Sequence, residues 1–148
     1  MGNNVRILDD DGQVKYCNNC NPKKYLAFNF TYIIHEKPDE PIKQDVIKLW
    51  QRMRWMSSGT IYEMVHDYET DKSKWFETIP INQISKRIPD KFRDDFPTET
   101  NEKYSVMRVY PAGTPAGSAN PRIIGMLKHN IFYVFFLDWK GELYSHGR

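Results

Sequence analysis

The amino-acid sequence predicts an α+β fold. An N-terminal strand, a helical hairpin and a C-terminal three-stranded antiparallel meander should form one sheet with the helices on one face. Three observations carry this. Residues 25–35 (YLAFNFTYIIH) alternate so that one of their two faces is uniformly apolar. Apolar residues then recur at helical spacing from Ile42 to Met56. The last third holds three short strand-like segments punctuated by turn residues. A chain of 148 residues suits one domain with a core but not two. We divide it into a polar N-terminal extension, 1–23, and a single domain, 24–148.

The extension is turn-rich. Asp9-Asp10-Asp11-Gly12 reads as the turn of a small hairpin from Val5–Leu8 to Gln13–Tyr16. In the strand at 25–35, Leu26, Phe28, Phe30, Tyr32 and Ile34 form the apolar face. Pro38 and Pro41 break the chain, and a helix follows over roughly 40–57. Asp39 and Glu40 stand where the macrodipole favours negative charge, and Ile42, Val46, Leu49, Trp50, Met53 and Met56 turn inward. Ser57-Ser58-Gly59 ends it. Thr60 and Glu63 have capping-box spacing and open a second helix to about Tyr68, with Ile61, Met64 and Val65 inward. The short loop between the helices implies a hairpin.

Residues 69–100 give weaker signals. Residues 79–84 (IPINQI) read as an edge strand or the start of a short helix, and Pro80 and Pro89 favour irregular backbone. Lys86, Arg87, Lys91 and Arg93 interleave with Asp90, Asp94 and Asp95, as on a solvated face. In 103–110, Tyr104, Val106, Arg108 and Tyr110 share one face. Residues 111–120 (PAGTPAGSAN) form a loop. In 122–128, Arg122, Ile124, Met126 and Lys128 share a face. His129-Asn130 is a two-residue turn, since Asn tolerates positive φ. Residues 131–137 (IFYVFFL) are apolar on both faces, which fits a strand inside a sheet, beside the first strand.

Composition excludes several classes. At 40% apolar residues the chain is not broadly disordered. No apolar run nears the roughly 20 residues of a membrane span. The opening MGNNVRILDDDGQ lacks the order of a secretory signal, and Arg6 stands where a myristoylation motif takes Ser or Thr. A cytoplasmic protein with no membrane attachment is the expectation. The net charge is +2, but residues 1–100 carry 15 basic and 16 acidic side chains against 6 and 3 in 101–148. A mildly basic last third suits a polyanion partner or an ordinary solvated surface. Cys17 and Cys20 form a C-x-x-C amid Asn and Pro, without a second ligand pair. They read as an incidental loop pair, with half a zinc site or a redox pair as alternatives. No cofactor motif is present: there is no P-loop, dinucleotide fingerprint, H-E-x-x-H or G-x-S-x-G.

The order strand, helix, helix, irregular stretch and three antiparallel strands resembles the RelE/ParE toxin superfamily of bacterial toxin–antitoxin systems. The resemblance rests on Tyr104–Arg108, Pro121–Gly125, Asn130–Asp138 and Leu143–His146, segments spread over about the last third of the chain. It implies a RelE-like sheet and a toxin-like endoribonuclease that cleaves mRNA on the ribosome and is neutralised by an antitoxin, with a dimer among its states. The chain is longer than typical members in 1–23 and 69–100. The superfamily also includes gyrase-directed members that lack nuclease activity, so fold is implied more strongly than reaction.

A metal-independent ribonuclease activates the ribose 2′-OH, stabilises a pentacoordinate phosphate and protonates the 5′-oxygen. Arg108 and Arg122 are the candidate phosphate clamp. Tyr144 or His146 is the candidate acid/base, and Lys128 or Lys140 adds electrostatic support. Tyr104, Tyr110 and Trp139 could stack unpaired bases. Each has an ordinary structural role too: an Arg paired with a carboxylate such as Asp138, a packed Tyr, a His beside a frayed terminus. The alternative function is a non-catalytic protein-binding module or inhibitor of phage or mobile-element origin. It is suggested by the 14% aromatic content and the charged stretch at 86–96. A zinc-linked dimer through the C-x-x-C is a third reading.

Overall fold

A computed structural model describes residues 20–21, 23–34, 41, 43–61, 63, 76–97, 103–110 and 121–143. The protein is α+β. Strand β1 (Ala27–Asn29) precedes helix α1 (Lys43–Ser57), followed by β2 (Phe76–Pro80), a 3₁₀ turn (Ile81–Gln83), helix α2 (Asp90–Asp95), β3 (Lys103–Arg108), β4 (Arg122–Lys128) and β5 (Ile131–Asp138). The strands form a five-stranded mixed sheet in the order β1-β5-β4-β3-β2. Strands β2 to β5 pair antiparallel in chain order, and β1 lies parallel to β5.

The expected sheet therefore gains a strand. The Ile79-Pro80 segment is the edge strand that the sequence left open, and the 3₁₀ turn follows it directly. Pro80 cannot donate to a ladder and sits at the end of this edge strand, opposite Lys103. Pro89 occupies the N-cap of α2, where a missing N–H is harmless.

The helices do not share one face. On one side of the sheet, Leu49 and Met56 of α1 pack with Leu26, Met107, Ile123, Leu127, Phe132 and Val134. On the other, Phe92 of α2 with Ile84 and Ile88 packs on Tyr104, Val106, Ile124, Met126, Tyr133, Phe135 and Phe136. Both faces are covered, which is why β5 is apolar throughout.

Alternation alone would send Phe135 and Phe136 to opposite faces. A register irregularity between Ile124 and Gly125 prevents this: Ile124 pairs with Phe136 and Gly125 with Val134, leaving Phe135 extra. Both rings then enter the α2-side core. Gly125 is required there, because a Cβ would stand 1.8 Å from the Tyr133 carbonyl oxygen. The hairpin that follows is as tight as expected, with positive φ at both His129 (50°) and Asn130 (63°).

Two expectations need correction near the N-terminal strand and α1. The strand at 25–35 is cut to three residues, because the Asn29 side-chain oxygen accepts the Thr31 N–H (2.8 Å) and turns the chain. Beyond that turn Tyr32 joins the α2-side core, whereas Phe30 and Ile34 are exposed. In α1, Leu49 and Met56 are buried as expected, but Val46 and Trp50 are exposed and Asp45 is buried. The Tyr110 hydroxyl donates to Asp45 Oδ1 at 2.6 Å and so satisfies that buried carboxylate.

The capping box forms: Thr60 N–H donates to Glu63 Oε2 (3.0 Å) and Glu63 N–H to Thr60 Oγ1 (3.2 Å). The helix that it opens lies, beyond Glu63, outside the described residues, as do the proposed hairpin at 5–16 and the loop at 111–120. Among the described residues no helix is long and apolar enough to cross a membrane.

Replacing Gly125 with Ala should destabilise the fold by about 1–3 kcal/mol, the usual cost of forcing atoms into packed space. Urea unfolding should show a lower midpoint with an unchanged slope; equal midpoints would refute the close approach at Tyr133.

Candidate functional site

Four charged residues of the sheet gather at one end of its α2 face. Arg108 stands opposite Arg122 on the neighbouring strand, and Arg122 stands opposite Asp138. Outside Arg108, Glu77 on β2 completes the row, with Oε1 3.7 Å from the Arg108 guanidinium. Glu77, Arg108, Arg122 and Asp138 thus run −, +, +, − across four strands. Like charges directly opposed on a sheet repel, and the flanking carboxylates offset this.

This row is largely internal. Arg122 is 2% exposed. Asp138 is buried too, and its carboxylate accepts the backbone N–H groups of Glu142 and Leu143 at 3.0 Å each, closing the turn after β5. Leu143 in turn packs on the α2-side core, and its carbonyl accepts the Ser85 N–H at 3.1 Å. Arg108, with 16% of its side chain exposed, and Glu77, with 25%, are the members of the row that reach solvent. The Arg108 Nε is buried and finds no hydrogen-bond acceptor among the described residues.

The other expected site residues are not gathered here. Lys128 is at the opposite end of β4, about 20 Å from Arg122 at 3.4 Å per residue. It is 8% exposed, with its ammonium 3.9 Å from the centroid of the Phe96 ring. Tyr104 is fully buried, and its hydroxyl donates to the Lys86 carbonyl at 2.8 Å. It has no exposed face on which a base could stack. Tyr110 leaves the face predicted for it: the chain bends after Arg108, and the ring packs with Trp139 on the α1 side. Lys140 is exposed. Tyr144 and His146 lie outside the described residues, so the proposed acid/base pair has no described position.

Three tyrosines are tuned away from proton transfer. Burial pushes the Tyr104 phenol up to about 12. Burial, reinforced by the hydrogen bond to Asp95, pushes Tyr32 up to about 12. Burial together with Asp45 does the same for Tyr110. A base or acid working near neutrality needs a pKa much closer to it.

Cys20 is disulfide-bonded and buried, and its sulfur accepts the Asn130 N–H at 3.2 Å. The chain's other cysteine, Cys17, lies outside the described residues. A disulfide sulfur is not the thiolate that zinc requires. Among the described residues no group of three His, Cys, Asp or Glu is placed to hold a metal. Asn130 ties this segment down: its side chain accepts the Asn21 N–H and donates to the Asn21 and Lys24 carbonyls.

A different surface stands out. At 100° per residue, Lys43, Ile47, Trp50 and Arg54 form one stripe of α1, opposite the stripe of Asp45, Leu49, Arg52 and Met56 that faces the sheet. Trp50 is 64% exposed, Ile47 45% and Val46 44%. Lys43 and Arg54 are exposed at the two ends of that stripe, whereas Lys48 is exposed on the far flank of the helix, about 160° from Trp50 at 100° per residue. The lone acid of α1, Asp45, is buried, so the outer face presents cations and apolar groups with no anion. Arg52 belongs to the inner side: its Nε donates to the Val109 carbonyl at 3.3 Å, its guanidinium sits 5.3 Å from the Trp55 ring centre, and burial lowers its pKa.

The sequence reading missed this face because it turned Val46 and Trp50 inward together with Leu49, Met53 and Met56. The signal that could have found it is the conflict between two stripes, one containing Trp50 and one containing Asp45. No family model matches the chain, and no curated protein or solved structure is significantly similar to it.

Raised phenol values carry a sign. Above pH 10 the unfolded chain loses these three protons while the folded protein still holds them. The unfolded state then binds fewer protons, and stability falls as pH rises from about 10 to 12. Phenolate absorbance of the folded protein should show three of its nine tyrosines ionising only near pH 12. A single midpoint near 10 for all nine would contradict the burial.

Proposed function

We propose that this chain is a non-catalytic protein-binding module whose contact surface is the outer face of α1. The observation that carries this reading is Trp50, 64% exposed beside Ile47 and Val46 on a helix whose opposite side is already committed to the core. An indole beside aliphatic side chains, with Lys43 and Arg54 at the two ends of its stripe, has the make-up of a binding hot spot: a large apolar anchor with a polar rim. The stretch at 86–96 fits the role less well, since its exposed side chains are mainly charged.

The competing reading is the RelE-like endoribonuclease. It requires Arg108, Arg122 and Lys128 to surround one phosphate. Burial of Arg122 and Lys128, and their separation along β4, weigh against it. Arg108 and Lys140, which reach solvent, are what remains in its favour.

Expression of the full chain in a bacterial host separates the two. The binding module leaves cellular mRNA intact, and cross-linking through the protein captures a discrete protein that Trp50→Ala no longer captures, with the unfolding midpoint unchanged. Cleavage of mRNA that is lost in Arg108→Ala would overturn it in favour of the nuclease.

A further inference from the structure

The outer face of α1 also indicates what kind of protein it would hold, provided the binding-module reading is right. Lys43 and Arg54 lie on the stripe of Ile47 and Trp50, with Val46 beside it, and no acidic side chain of the helix is exposed. From Lys43 to Arg54 the helix rises about 16 Å at 1.5 Å per residue, three turns. The two cations stand at the two ends of the apolar patch. A partner that filled this patch with apolar side chains alone would leave both cations desolvated at its rim; one that carried carboxylates there would satisfy them.

We infer that the partner docks an acidic amphipathic helix on α1, placing a short apolar seam on Val46, Ile47 and Trp50 and its carboxylates on Lys43 and Arg54. Several features favour this over nucleic acid. The centre of the patch is aliphatic as well as aromatic, and Val46 and Ile47 offer a base no stacking face and a phosphate no donor. Helix-in-groove recognition instead uses such i, i+3, i+4 anchors on both partners. A bilayer would also take cations around apolar groups, but three apolar side chains bury little area for stable attachment. Oppositely charged rims set which helix binds and in which direction, while the indole supplies most of the affinity.

The test uses the full chain and fluorescein-labelled synthetic peptides followed by anisotropy. One peptide is an amphipathic helix with a Leu and Phe seam flanked by Glu. Its counterpart carries Lys at the Glu positions. A polyuridine oligonucleotide and vesicles of phosphatidylcholine with phosphatidylglycerol complete the set.

The acidic peptide should bind at least about tenfold more tightly than the basic one, and added salt should narrow the gap. Trp50→Ala should weaken it by about tenfold or more. The double variant K43E/R54E should invert the preference between the peptides. Trp50, Lys43 and Arg54 are exposed, so these variants should keep the wild-type unfolding midpoint, and Ile47→Ser gives a second, milder truncation of the same patch.

Equal binding of both peptides would overturn the inference. So would tighter binding of the oligonucleotide or the vesicles that depends on Trp50, or self-association of the chain that Trp50→Ala abolishes. If no peptide binds while cellular capture still depends on Trp50, the partner's chemistry is wrong and the binding module stands. If Trp50→Ala changes neither, both readings fall.

Discussion

The close approach of Gly125 to the Tyr133 carbonyl governs the rest of this sheet. It lets β4 and β5 slip by one residue in mid-strand, so that two consecutive phenylalanines, 135 and 136, share a face. Without the slip one of them would cross to the α1 side, where Phe132, Val134 and Leu137 already stand. With it, the α2 side gains an aromatic cluster in which Phe92 lies 4.9 Å from Phe135 and 5.5 Å from Tyr133, centre to centre. Tyr32 meets Phe92 edge-on at 5.2 Å, so the segment after β1 is pinned to the same cluster. A helix of only six residues has little stability of its own. α2 holds its place because Phe92 inserts among these rings, a burial worth about 2–3 kcal/mol.

The same slip does not disturb the charged row at the end of the sheet, because Arg122 and Asp138 resume pairing beyond it. Removing a guanidinium and a carboxylate from water costs several kcal/mol each. That cost is tolerable where neighbours of opposite sign and backbone N–H groups surround them, and Asp138 has two such groups from the turn it closes. The arginines that looked like a phosphate clamp are therefore placed as cross-strand partners. A phosphate could reach Arg122 only by displacing the structure that covers it.

What could be read from the sequence follows the range of the forces involved. The last three strands, the faces of β3 and β4 and the His129-Asn130 turn were legible, since alternation and turn chemistry are local. So were the extent of α1 and the Thr60–Glu63 capping box. The shortening of β1 was missed because one side chain, Asn29, outcompetes a well-patterned strand. The place of β5 inside the sheet beside β1 was legible from its doubly apolar run, but the parallel direction of that pairing and the second covered face depend on long-range contacts that leave no local pattern. For the site, residue types were legible but exposure was not. An Arg in alternation with Ile and Met looks the same whether α2 covers its face or solvent does.

The orientation of α1 shows how such a long-range contact can create a surface. The apolar residues alone would turn the helix about 50° from where it lies, bringing Val46 and Trp50 inward at 100° per residue. Burying those two side chains would contribute roughly 4–5 kcal/mol, so the hydrophobic effect by itself favours the other orientation. Tyr110 opposes it. The bend after Arg108 carries its ring to the α1 side, where its hydroxyl meets Asp45 at 2.6 Å, and the Val109 carbonyl beside it accepts from Arg52 at 3.3 Å. Rotating the helix would break both bonds and also withdraw Leu49 and Met56 from the core. Asp45 is thus the hinge of the arrangement: its burial removes the helix's lone anion from the surface, and the orientation that buries it leaves Trp50 in solvent between Lys43 and Arg54. The exposed indole and the cations at its two ends follow from the same contacts that fix the inner side of the helix: two hydrogen bonds and the burial of Leu49 and Met56.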